Sequence, residues 1–151
     1  MVVRAVVLAC LGWLPAAAGD AGLRAWFVGG TVSAVPAKSR ARMDLTGTEA
    51  LLFRSGTVEL RIAYQRINSI EYGQSVSRRY AAAILISPVL LLSKSRKHYV
   101  TIGYSDPQGR QQALVFRVEK GDIRSVLASL EARSGRRIEY QDDEARKSGK
   151  G

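Results

Sequence analysis

Apolar and polar residues alternate along most of the chain, and the places where the alternation breaks divide it into elements. Val58, Leu60, Ile62 and Tyr64 alternate with Glu59, Arg61 and Ala63, the period of two that marks a strand with one buried face. Ala41, Met43 and Leu45 alternate likewise with Arg40, Arg42 and Asp44, which predicts a strand over Lys38 to Leu45. Ala50 to Arg54 places Leu51 and Phe53 on one side, between the turns Thr46-Gly47-Thr48-Glu49 and Ser55-Gly56-Thr57. Ile67 to Tyr72 sets Ile70 and Tyr72 against Glu71. Val100, Ile102 and Tyr104 alternate with Tyr99, Thr101 and Gly103, and a return strand from Gln112 to Glu119 carries Leu114, Phe116 and Val118 on its core face. Asp106-Pro107-Gln108-Gly109 joins these two as a hairpin turn. Thr31 to Val35, β-branched and ended by Pro36, predicts the first strand after a glycine-rich lead at Val28-Gly29-Gly30.

The period changes near the C-terminus. Ile123, Val126, Leu127 and Leu130 fall at i, i+3, i+4 and i+7, one apolar stripe on a helix. Asp122 stands where a side-chain oxygen accepts the free N–H groups of a helix start, and Gly135 where a left-handed residue closes it. Ile138-Glu139-Tyr140 reads as a last extended piece. From Gln141 to Gly151 the residues are charged or small, which predicts a disordered tail.

One stretch fits neither period. Arg78 to His98 is an apolar run fenced by cations, with no acidic residue between Glu71 and Asp106. The segment Tyr80 to Leu92, at 1.5 Å per helical residue, reaches ~20 Å against a ~30 Å hydrocarbon core, and Pro88 interrupts it. Spanning a bilayer is therefore the weaker of three readings. A segment that dips and returns fits better. Ile84, Leu85, Ile86, Val89, Leu90, Leu91 and Leu92 would be buried, with Arg78, Arg79, Lys94, Arg96 and Lys97 at headgroup level. The third reading packs the segment on its own domain or on a second copy.

Composition narrows the partners. The formal net charge is +10 over 151 residues and the pI is about 10.3, which favours an anionic partner without choosing which. Met1 to Ala18 reads as a signal peptide: Arg4, then the apolar run Ala5 to Leu14, then small residues at Pro15-Ala16-Ala17-Ala18-Gly19. Cys10 is the only cysteine, so no intramolecular disulfide is possible, and cleavage there would remove it. Export to the periplasm or beyond sets membranes and cell-wall polymers ahead of nucleic acid as partners. A basic nucleic-acid-binding domain stays as the reading that requires an uncleaved N-terminus. Catalysis finds few candidates: His98 is the single histidine, and the carboxylates Asp142-Asp143-Glu144 fall on the tail. We expect no catalytic residue, no cofactor, no metal and no small-molecule substrate. His98 is expected at a strand start, its protonation disfavoured by Arg96 and Lys97.

About seven short strands followed by one amphipathic helix is a specific order of elements. Met43-Asp44-Leu45-Thr46-Gly47-Thr48-Glu49-Ala50-Leu51-Leu52-Phe53-Arg54-Ser55 and Leu60-Arg61-Ile62-Ala63-Tyr64-Gln65-Arg66-Ile67-Asn68-Ser69-Ile70-Glu71-Tyr72 carry the likeness. On these residues the chain resembles the pleckstrin-homology-like superfamily, its bacterial and GRAM-like members in particular, from about Thr31 to Tyr140. The resemblance implies a mainly β fold: a bent antiparallel sheet or partly open barrel with a C-terminal helix, here interrupted by the apolar helical insert at 78–98. It also implies an anion patch at Lys38, Arg40 and Arg42, whose alternation aims the three cations one way. The competing reading of these cations is a solvated strand edge kept from edge-to-edge pairing by charge. Together these features point to a non-enzymatic exported module that associates with an anionic membrane. The runner-up is a soluble protein-interaction module whose insert is a dimer or partner interface.

Overall fold

In the computed structural model, which describes residues 22–76 and 97–150, the alternating segments form one sheet. Its strands are β1 (Leu23–Gly30), β2 (Ser39–Asp44), β3 (Ala50–Ser55), β4 (Val58–Ala63), β5 (Ile67–Gly73), β6 (His98–Ser105), β7 (Gln111–Val118) and β8 (Ile138–Tyr140). A 3-10 turn at Tyr64–Arg66 joins β4 to β5, and two helices, α1 (Ile123–Ser134) and α2 (Asp143–Lys150), flank β8. The strands lie in the order β4-β3-β2-β1-β7-β6-β5-β8, antiparallel except for β5 and β8. The sheet curls into a half-barrel. The expected signal peptide (1–18) and the apolar insert up to Arg96 lie outside the described residues, Arg78, Arg79, Ile84, Leu85, Ile86, Val89, Leu90, Leu91, Leu92 and Lys94 included.

The inner face holds the core. Phe27, Met43, Leu51, Phe53, Ile62, Ile70, Val100, Ile102, Leu114 and Phe116 each expose 2% or less of their surface, and Ile123, Val126, Leu127 and Leu130 of α1 close over them. Each such aliphatic or aromatic side chain contributes about 1.5–3 kcal/mol by leaving water. Phe27, Phe53 and Phe116 meet with ring centroids 5.1–5.8 Å apart. They come from β1, β3 and β7, so the curl is what brings them together.

Four expectations change. The first strand is Leu23–Gly30, and Thr31 to Lys38 is the loop after it. Glycine is required inside that strand: a Cβ on Gly30 would stand 2.7 Å from the Ala113 carbonyl oxygen, because β7 pairs there. Lys38 is not in β2 but in the loop, with φ +60°. Asp122 occupies the N-cap of α1 in a helical conformation without a side-chain cap, and offers its carbonyl to Ser125 and Val126 instead. Gly135 does close the helix at φ +69°. Within the stretch expected as a disordered tail, Asp143–Lys150 form α2, anchored by fully buried Ala145.

A candidate cationic binding surface

Strand alternation fixes what the outer face presents. In β1, Ala25 and Phe27 pack inward, so Arg24 and Trp26 face out. In β2, Ala41 and Met43 are buried, leaving Arg40 and Arg42 outward; Arg54 of β3 and Arg117 of β7 follow by the same rule. Pairing then sets these residues side by side. Arg24 stands opposite Arg42, and Arg42 opposite Arg54, making one row across three strands. Trp26 stands between Arg40 and Arg117 in the next row. The five arginines, Trp26 and Glu119 line one groove, floored by Ala25 and Ala41 and bounded by Gly56.

Several contacts hold this arrangement. The Arg117 guanidinium lies over the Trp26 ring, 5.3 Å from its centroid, a cation–π contact that orients both. Arg54 donates from Nε to Glu59 at 2.6 Å, and that hydrogen bond raises its already high pKa further. Arg42 reaches the Gly22 carbonyl at 3.4 Å. Ser55 donates to the Arg40 carbonyl at 3.0 Å and accepts from Ser39 at 2.9 Å, which pins the backbone under Arg40. Among the described residues no carboxylate lies within ion-pair distance of Arg24, Arg40 or Arg117.

The row Arg54–Arg42–Arg24 runs against ordinary sheet preference, since like charges directly opposite one another are destabilising. The strand-edge reading does not account for it: β2 lies between β1 and β3, and β1 between β2 and β7. Of the expected anion patch, Arg40 and Arg42 share the outer face, while Lys38 is exposed in the preceding loop and does not line the groove. Arg24, Trp26, Arg54 and Arg117 were not singled out by the sequence. Arg24-Ala25-Trp26 carried the right alternation, but its meaning depends on pairing with residues far along the chain.

Beside the arginines the outer face becomes apolar. Val28, Val76, Tyr99, Ala113 and Val115 form a second buried cluster, and Trp26 packs against it at the boundary. Val76 is the last described residue before the insert and Lys97 the first after it, so the roots of the insert emerge beside this cluster.

Two other candidates have structural work. His98, half-buried, stacks on Tyr72 with ring planes 3° apart and centroids 6.0 Å apart, and its Nδ1 meets the Tyr72 hydroxyl. Burial lowers its pKa first and Lys120 second, while Glu119 pulls it upward; the expected Arg96 lies outside the described residues. Asp142 accepts the Ala145 N–H and Asp143 pairs with Arg146, so both carboxylates serve the start of α2. Among the described residues no helix is long and apolar enough to cross a membrane. No protein-family model matches the chain, and no curated protein matches its sequence.

Proposed function

We propose that this chain is an exported, non-catalytic, pleckstrin-homology-like module that docks on an anionic membrane surface. The observation that carries the reading is the arginine face on interior strands, where neither edge protection nor ion pairing among the described residues explains Arg24, Arg40 and Arg117. The fold part of the proposal draws support from the strand order. Two successive hairpins, β1 to β4, are followed by the β5-β6-β7 antiparallel set and an amphipathic helix, with β1 against β7. β8 and α2 are additions to that plan.

In this reading the arginine face supplies electrostatic attraction, about 1 kcal/mol for each cation near an anionic leaflet. The insert, with roots on the same side of the sheet, adds apolar burial through Val89 to Leu92. Flotation of the full-length mature protein with neutral and anionic vesicles tests it. Binding is expected to anionic vesicles, weakening as salt rises above 0.1 M, where screening acts over ~10 Å. Leu90→Asp with Leu91→Asp should weaken it further. Failure to float with either vesicle rejects the membrane reading in favour of a soluble interaction module, and an intact Met1 on the native protein rejects export with cleavage.

A further inference from the structure

The arginines are arranged in two rows, and a diffuse attraction to negative charge does not require that. Row one, Arg54–Arg42–Arg24, crosses three adjacent strands, which lie about 4.8 Å apart. Row two, Arg40–Trp26–Arg117, crosses β2, β1 and β7. Arg24 and Trp26, like Arg42 and Arg40, are two residues apart on one strand, so the rows are about 7 Å apart. Guanidinium groups donate in a planar fork that fits a phosphate bidentately; Arg24 and Arg42 of row one can grip one phosphate, Arg54 being paired with Glu59, and Arg40 and Arg117 of row two another. Trp26 occupies the centre of row two, held by Arg117 above it and by the apolar cluster beside it. An indole at such a boundary has one apolar side and one wet side, which suits the level where headgroups meet acyl chains. Glu119 follows Val118, the partner of Ala25, so it continues row one beyond Arg24 on the β7 side and sets a single carboxylate among the five arginines of the groove. The groove has a volume of about 980 Å³, the scale of a whole small ligand and much more than a lone phosphate needs.

We infer that this groove is a specific site for a lipid headgroup bearing two phosphates on a short linker, one phosphate on each arginine row. The inference rests on the membrane reading above and sharpens it from charge to headgroup shape. A bilayer rich in single-phosphate lipids offers the same surface charge but not two phosphates at a fixed spacing. The soluble counterpart of this chemistry, a free diphosphate, lacks the acyl chains that Trp26 would meet.

Vesicles with equal surface charge, one set containing a two-phosphate glycerol-bridged lipid and the other phosphatidylglycerol, provide the test with the full-length mature protein. Tighter binding to the two-phosphate vesicles, about tenfold at 0.15 M salt, is expected. Arg24→Gln combined with Arg40→Gln should erase that preference, because both side chains are exposed and outside the core. Lys38→Gln combined with Lys120→Gln removes the same charge from exposed positions that do not line the groove, and should leave the preference intact. Equal binding to both vesicle sets overturns the inference while leaving the membrane reading standing; no binding to either overturns both. Saturation by soluble pyrophosphate without vesicle preference overturns it in favour of a soluble ligand. Comparable binding of a single-stranded oligonucleotide, lost in the Arg24 and Arg40 variant, overturns it in favour of nucleic acid.

Discussion

His98 opens β6 with its ring flat against Tyr72, and burial depresses its pKa below the ordinary 6.5. Tyr72 is itself pushed upward by burial, so it keeps its proton, and its hydroxyl shares a hydrogen bond with the Nδ1 of the neutral ring. The unfolded chain therefore binds a proton at His98 more readily than the folded one. The stability linked to neutral His98 is complete above the unfolded value and declines as pH falls through 6.5 toward the depressed folded value. Urea midpoints should fall between pH 7.5 and about pH 5, and His98→Gln should flatten that slope. A slope unchanged in the variant rejects the assignment. Asp44 and Asp106 act elsewhere. Hydrogen bonds from Thr46 lower the first. For the second, burial pulls upward but is outweighed by bonds from Arg110 and Gln112, so both carboxylates lose their contribution only in stronger acid. At this scale the alternating pattern gave good access to which side chains are apolar and inward. It gave poor access to their neighbours: Lys120 and Tyr72 shape His98, and neither is adjacent to it in the chain.

Helix α2 shows how an element escapes a compositional reading. Asp143-Glu144-Ala145-Arg146-Lys147-Ser148-Gly149-Lys150 has almost nothing to bury, yet Ala145 is fully enclosed. A Cβ on Gly149 would meet the Tyr140 ring at 2.7 Å and Leu127 at 3.2 Å, so only glycine lets the helix approach this closely. Local signals were present: Asp142 accepts the Ala145 N–H at 2.6 Å, acids fill the first turn, and Arg146 answers Asp143 at 2.7 Å. What the sequence could not display was the docking surface made by Tyr72, Leu127 and Tyr140, three separate elements. The first strand was misplaced for a related reason, since Gly29 and Gly30 look like a linker until β7 is known to lie against them. Asp142→Ala should cost about 0.5–2 kcal/mol of helix stability. Ala145→Asp should release α2 from the sheet, which is measured as faster tryptic cleavage after Arg146 and Lys147 with the β signal in far-UV dichroism retained. Unchanged cleavage in Ala145→Asp rejects the docked helix.

The whole molecule is joined through β1, which pairs with β2 on one side and β7 on the other. Without it, β2 to β4 would form one small sheet and β5 to β8 another. The rings of Phe27, Phe53 and Phe116 bridge the same junction on the inner face, while Arg24, Arg42, Arg54 and Arg117 lie across it on the outer one. The core therefore fixes the spacing of the arginine rows, and this link between packing and the site can be measured. Phe53→Ala removes a fully buried ring that touches both others, and should cost about 3–5 kcal/mol. If β1 makes the two halves one cooperative unit, far-UV dichroism and tryptophan fluorescence of the variant shift together, since Trp26 reports on the junction itself. Separate transitions would mean that β2 to β4 melts alone. The arginine groove, which draws on strands from both halves, would then disperse before the rest of the protein unfolds.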